Sequence, residues 1–324
     1  MKCTNRTLLL IMLLLMLPVF TGCGKKPLDM PYSSLPEGSS FRISFSHPYM
    51  AEGFCNDICV VEKEEKGFAS GYDEDSYAAA ALFDAGHSRT LYSEAAFRRL
   101  YPASMTKVMT AIVAMQHLRK EDVITCGPNV KITESGAQLA GFESGDSMTA
   151  DQAMHALLMY SANDAAVAIA EAVGGSVEGF ADMMNREAAA LGAQGTHFVN
   201  PHGLHDEDHY TTAYDMYLMM NEAVKYDWFN EIISAQSYTC PYTAADGSAR
   251  EMDLATTNLF LKGDAFPPEG ITVIGGKTGT TIAAGNNLVL YTKDKSGNPY
   301  ISVVMRAKER GILYALTTAL LERI

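Results

Sequence analysis

A serine hydroxyl is a poor nucleophile until a base within hydrogen-bond reach takes its proton, and Ser104 and Lys107 have the spacing of such a pair. Three residues apart on a helix, they share one face. Lys107 can serve as the base only where burial and a neighbouring cation lower its pKa. Alone, Ser104-Met105-Thr106-Lys107 says little, because a chain of this composition holds about one Ser-x-x-Lys by chance. An exposed lysine on an amphipathic helix meets the same pattern. Two further groups add weight. Ser161-Ala162-Asn163 falls where two helical patterns meet, and Lys277-Thr278-Gly279 follows Gly275-Gly276 on a strand pattern. A decoy, Lys295-Ser296-Gly297-Asn298, matches both of these motifs, but its Gly and Asn assign it to a tight hairpin turn.

The elements that must position these residues are legible in outline. Tyr77 to Asp84, a turn at Ala85-Gly86-His87 and Ser88 to Ser93 predict a β-hairpin. Pro102 and small residues start a helix in which Met105, Val108, Met109, Ile112 and Met115 form one apolar face, ending near Lys120. Thr149 and Gln152 form a capping box for a helix through Met159. A second helix runs from Asp164 to Val173 and closes at Gly174-Gly175, and a third from Val177 to Leu191. Ile271 to Ile274, Asn287 to Thr292 and Tyr300 to Arg306 predict strands, and Gly311 to Arg323 a closing helix. Strands at both ends around a helical middle imply an α/β sandwich whose N- and C-terminal segments build one antiparallel sheet flanked by helices.

In their order, Ser-x-x-Lys, Ser-x-Asn and Lys-Thr-Gly, the three motifs resemble those of the penicillin-recognising serine enzymes. Pro102 to Thr110, Ser161 to Ala166, Thr196 to Leu204, and Gly275 to Thr281 with Ala284-Gly285 narrow the resemblance to the low-molecular-mass D-alanyl-D-alanine carboxypeptidases, peptidase family S11. It covers about Tyr77 to Ile324 and implies a β-lactamase/transpeptidase-like sandwich with a helical subdomain. Two positions depart from the commonest pattern, Ala162 for a glycine and Thr280 for an aromatic or His. The resemblance implies that Ser104 attacks the penultimate D-Ala carbonyl of a peptidoglycan stem peptide. Lys107 would be the base and Ser161 a proton relay, with Asn163, Lys277, Thr278, Gly279 and Thr280 binding substrate. The backbone N–H groups of Ser104 and Thr280 would form the oxyanion hole. β-Lactams would acylate the same serine. The chemistry calls for no cofactor and no metal. His202, His205 and His209 are therefore read as structural, His202 lying in a loop the resemblance covers.

Composition sets outer bounds. At 324 residues and 48% hydrophobic the chain is globular, and its net charge of −13 excludes a nucleic-acid footprint. Lys2 and Arg6 ahead of an apolar run from Leu8 to Phe20 read as an export signal over residues 1–22. Val19 to Cys23 resembles a lipobox, with Phe20 in place of the usual aliphatic residue, so Cys23 is the expected lipid-attachment site and the membrane a partner. A plain secretory signal with Cys23 incidental is the alternative. Residues 23–76 read as a Pro- and Ser-bearing tether and a small irregular extension, and 77–324 as the catalytic domain, without a C-terminal β-domain. Cys55, Cys59, Cys126 and Cys240 allow three pairings in an oxidising compartment, or stay buried thiols. Rival functions are a DD-endopeptidase using the same residues, a β-lactamase, for which no Glu-x-x-Leu-Asn is present, and a non-catalytic β-lactam- or peptidoglycan-binding lipoprotein.

Overall fold

The computed structural model describes residues 58–67, 69, 71–73 and 75–324. The expected signal peptide, Cys23, Cys55 and most of the tether lie outside them. In chain order the elements begin with β1 (Ala79–Asp84), β2 (Arg89–Glu94), a 3-10 turn (Ala103–Thr106), α1 (Lys107–His117), β3 (Val123–Thr125) and β4 (Ser147–Thr149). Then come α2 (Ala150–His155), a π-helical turn (Ala156–Tyr160), α3 (Asn163–Gly174), α4 (Val177–Ala190), α5 (Ala213–Ala223) and α6 (Asp227–Ser234). The chain finishes with β5 (Ser237–Thr243), β6 (Ala249–Ala255), α7 (Leu259–Lys262), β7 (Thr272–Thr281), β8 (Gly285–Lys293), β9 (Pro299–Ala307) and α8 (Arg310–Leu321).

The expected sandwich is present. One antiparallel sheet has the order β2-β1-β9-β8-β7, and β1 meets β9 with Ala79 opposite Met305 and Asp84 opposite Tyr300. Every residue of β1 is buried, because apolar layers cover both faces of the sheet. Ala79, Ala81 and Phe83 join Ile301, Val303 and Met305 in the core shared with α1, α3 and α5. Ala80 and Leu82 face the other way, with Leu288, Leu290 and Val304, against Leu313, Leu316 and Leu320 of α8.

The helical middle departs from expectation in detail. The nucleophile segment opens as one turn of 3-10 helix before α1, which ends at His117 rather than near Lys120. The capping box holds, with Thr149 Oγ1 accepting from Gln152 N–H and Gln152 Oε1 from Thr149 N–H. That helix widens into the π turn at Ala156 and stops at Ser161, which is left-handed at φ +71°. A second sheet, β3-β4-β5-β6, is not anticipated by the sequence pattern. β3 and β4 have three residues each, and β5 and β6 are exposed along most of their length, so neither pair carries an apolar alternation.

Candidate active site

The connection between α4 and α5 clamps the turn that carries Ser104 through two buried residues, Gly203 and His209. Ala103, just ahead of Ser104, is left-handed at φ +48°, a strained conformation for a residue with a β-carbon. Thr106 Oγ1 donates to Ala103 O at 2.7 Å and lies 2.7 Å from His209 Nε2. Val199 N–H donates to His209 Nδ1, so the ring proton sits on Nε2 and points at Thr106. Gly203 closes over the same turn at φ +86°, where a β-carbon would come within 1.9 Å of Ala103 O. Only glycine fits there.

Lys107 is fully buried, with Nζ 2.9 Å from Ser104 Oγ, 2.6 Å from Asn163 Oδ1 and 2.7 Å from His202 O. The latter two oxygens accept the amine's two N–H bonds, which leaves the lone pair of a neutral amine for the Ser104 hydroxyl. Burial, then the nearby Lys277 cation, holds the Lys107 pKa well below the ordinary lysine value, against an opposing pull from Asp164. A neutral lysine at hydrogen-bond distance from a serine has the geometry to act as a general base.

The other two motifs converge on the same point. Lys277, also buried, donates to Ser161 Oγ at 2.9 Å and to Thr278 O at 3.0 Å, and burial lowers its pKa to about 7. The bend between the π turn and α3 places Ser161 and Asn163, both buried. Gly279 explains the third motif: a β-carbon there would lie 2.5 Å from Pro102 O and 3.1 Å from Ser104 N. Its absence lets β7 run against the nucleophile turn. Thr278 shares a hydrogen bond with Thr257, and Thr280 is exposed, with Oγ1 3.3 Å from Asn286 Oδ1. An open cleft of about 340 Å³ is lined by Ser104, Gln138, Ser161, Thr278, Thr280 and Arg310, among others. All eight catalytic and substrate-binding residues expected from the sequence lie in this cleft or in the network beneath it.

Three contributors were not found by sequence reasoning. Arg310, at the start of α8, lines the cleft and donates to Thr257 O at 3.1 Å. Asp164, beside Asn163, accepts four backbone N–H bonds, from Ala140, Gly141, Phe142 and Ala165, and so pins the loop that carries Gln138. Its signal was an acidic residue in the first turn of a helix. His209 is the third, read as structural but not as a support of the nucleophile.

His202 contributes its carbonyl to Lys107 and its Nδ1 to Leu204 N–H, while His205 packs edge-on against Tyr101. Among the described residues no group of three or more His, Cys, Asp or Glu side chains could hold a metal ion. Cys59, Cys126 and Cys240 are buried free thiols. The 295–298 decoy forms the β8–β9 turn, where Asp294 Oδ1 accepts from Ser296 N–H and Asn298 N–H.

The structure superposes on the Streptomyces K15 DD-transpeptidase with a TM-score of 0.71 at 27% identity, covering 76% of this chain and 96% of that one. The fold is therefore that of the DD-peptidases and penicillin-binding proteins. A family model described as D-alanyl-D-alanine carboxypeptidase, peptidase S11, matches residues 68–309, and the chain belongs to that family. D-alanyl-D-alanine carboxypeptidase DacF of Bacillus subtilis is 36% identical over 225 residues, 68% of this chain and 54% of the relative. DacC of Escherichia coli is 31% identical over 236 residues, 70% and 56% respectively. The chain spans about half the length of the curated relatives it matches.

Proposed function

We propose that this chain is a penicillin-sensitive serine DD-carboxypeptidase that removes the terminal D-Ala from peptidoglycan pentapeptides. The observation that carries this reading is the buried Lys107 amine, with both N–H bonds spoken for by Asn163 and His202 and its remaining valence at Ser104 Oγ. As Oγ adds to the penultimate D-Ala carbonyl carbon, Lys107 takes the hydroxyl proton. The backbone N–H groups of Ser104 and Thr280 hold the developing oxyanion. The proton on Lys107 passes through the Ser161 hydroxyl to the leaving nitrogen, the C–N bond breaks and D-Ala departs, leaving Lys107 neutral and Ser161 protonated. Water then adds to the acyl-enzyme and frees Ser104. Asn163 hydrogen-bonds the substrate amide, while Lys277, Thr278, Thr280 and Arg310 hold the terminal carboxylate, along a strand that Gly279 brings close. A β-lactam acylates Ser104 by the same route.

The site would work outside the cytoplasm. Residues 1–22 would be removed on export, Cys23 would carry the lipid that holds the enzyme at a membrane surface, residues 23–76 would tether it, and residues 77–324 would form the catalytic domain. No helix among the described residues is long and apolar enough to cross a membrane.

Purified protein should release D-alanine from an acyl-D-Ala-D-Ala peptide and be labelled by fluorescent penicillin at Ser104. Wild-type turnover by Ser104→Ala would refute the mechanism. Mass analysis of cross-linked muropeptides distinguishes cleavage of cross-links from trimming of free pentapeptides.

A further inference from the structure

Around the β7–β8 turn lie two adjoining grooves, of about 490 and 280 Å³, which share Arg98, Ala283 and Arg306 as walls. Asn286 links them to the active site. It lines the cleft beside Thr280, and its amide donates to Ala307 O and Lys308 O on the groove side.

We propose that this groove is a second binding subsite, recognising a carboxylate carried by the substrate peptide upstream of the scissile bond. The inference rests on the DD-peptidase reading. Order along β7 sets the direction. With the terminal carboxylate at Thr278 and Arg310, and the attacked carbonyl beside Ser104 and Thr280, the rest of the peptide must leave past Thr281 to Gly285, into the groove.

Its charge suits an anion. In a chain of net charge −13, the walls carry Arg98, Arg99, Arg306 and Lys308 against two carboxylates, Asp75 and Glu207. Arg98, Arg306 and Lys308 make no ion pair with a carboxylate among the described residues. Arg99 lies over the Tyr210 ring at 4.7 Å. Arg98, Arg306 and Lys308, with no ion-pair partner among the described residues and set on a concave wall, are poised for a ligand.

The backbone at Arg306 is a separate observation. It is left-handed at φ +56° inside β9, beside a register shift between Asn286 and Leu288 of β8. The buried Asn287 enforces this conformation, its Oδ1 accepting Arg306 N–H at 2.8 Å while its Nδ2 ties Gly279 O to Ala284 O. A bulge of this kind re-aims one side chain, and backbone strain held by surrounding structure is characteristic of ligand sites. Here it sets an arginine on the groove wall.

The test uses two acyl-D-Ala-D-Ala peptides that differ only in one side-chain carboxylate upstream of the scissile bond or its amide. Binding to Ser104→Ala protein is measured by fluorescence anisotropy at low and high salt. The carboxylate peptide should bind about tenfold more tightly than the amide, with the preference shrinking in high salt. Arg98→Gln with Arg306→Gln should abolish the preference, and Lys308→Gln should reduce it. Equal affinities for the two peptides, or a preference that survives in the double variant, would overturn the subsite. Turnover of a short acyl-D-Ala-D-Ala peptide lacking that carboxylate is followed separately in Ser104-intact protein, and the double variant should match wild type there. Failure of wild type to cleave it would overturn the DD-peptidase reading and leave the subsite to the binding measurement.

Discussion

At the scale of single residues, the chemistry depends on one lysine being unlike a lysine in water. Burial, with Lys277 nearby, pushes the Lys107 pKa down, so its neutral form exists far below the pH at which a free lysine would shed its proton. The acylation rate should rise with pH as that proton leaves and level off well below the ordinary lysine value. Lys107→Arg installs a permanent cation that can donate to Asn163 and His202 but cannot deprotonate. It should lower the rate of acylation by fluorescent penicillin by roughly 10²–10⁴-fold; an unchanged rate would exclude Lys107 as the base. His209 acts one residue further out, by holding Thr106. His209→Ala leaves Val199 N–H and Thr106 Oγ1 without this partner, at a cost of about 1–3 kcal/mol. Glutamine can accept from the first and donate to the second, so urea titration should show most of that loss restored in His209→Gln.

At the scale of elements, the site is a matter of spacing between a strand and a turn. Gly279→Ala puts a methyl 2.5 Å from Pro102 O, a main-chain atom that cannot swing aside, so β7 must back away from Ser104. Misplacement on the order of 1 Å costs roughly 10²-fold in rate, which acylation kinetics would register while the far-ultraviolet spectrum stays the same. Such spacing is invisible in sequence, although the glycine that permits it is not. Ser104, Lys107, Ser161, Asn163 and Lys277 were legible because each motif is local and tied to an element boundary with its own signal: Pro102 before the turn, the Thr149 capping box upstream of Ser161, the paired glycines before Lys277. The β1–β2 hairpin and α3 and α4 were legible for the same reason. The π turn that bends the chain into Ser161 has no periodicity of its own. The β3-β4-β5-β6 sheet pairs segments about 100 residues apart through short or exposed strands. Arg310 reaches the cleft only because α8 packs on the sheet, and the four-bond role of Asp164 needs a loop more than twenty residues upstream.

At the scale of the whole molecule, the buried ionisable groups set how stability varies with pH. Burial lowers the pKa of His202 to about 3 and that of His209 to about 4, from an ordinary 6.5. Between pH 6.5 and these values the unfolded chain binds protons that the folded chain refuses, so stability falls as the solution is acidified. On the alkaline side the rise with pH first continues and then reverses. From about pH 7 towards 10, Lys277, whose pKa is about 7, has shed a proton that the unfolded chain still holds, and stability rises. Above pH 9 the thiols of Cys59, Cys126 and Cys240, raised to about 11, 12 and 11, stay protonated in the fold while the unfolded chain ionises, and stability falls again. Maximum stability should therefore lie near pH 8–9, above the ordinary range of roughly 5–8. Denaturant titrations from pH 4.5 to 10 would locate it. His209→Gln isolates one contribution: losing a group depressed from 6.5 to about 4 should flatten the acid limb by on the order of 3 kcal/mol. Acid limbs that run parallel in wild type and variant would show that His209 titrates in the fold as it does in water, and that the network beneath Ser104 does not hold its ring neutral.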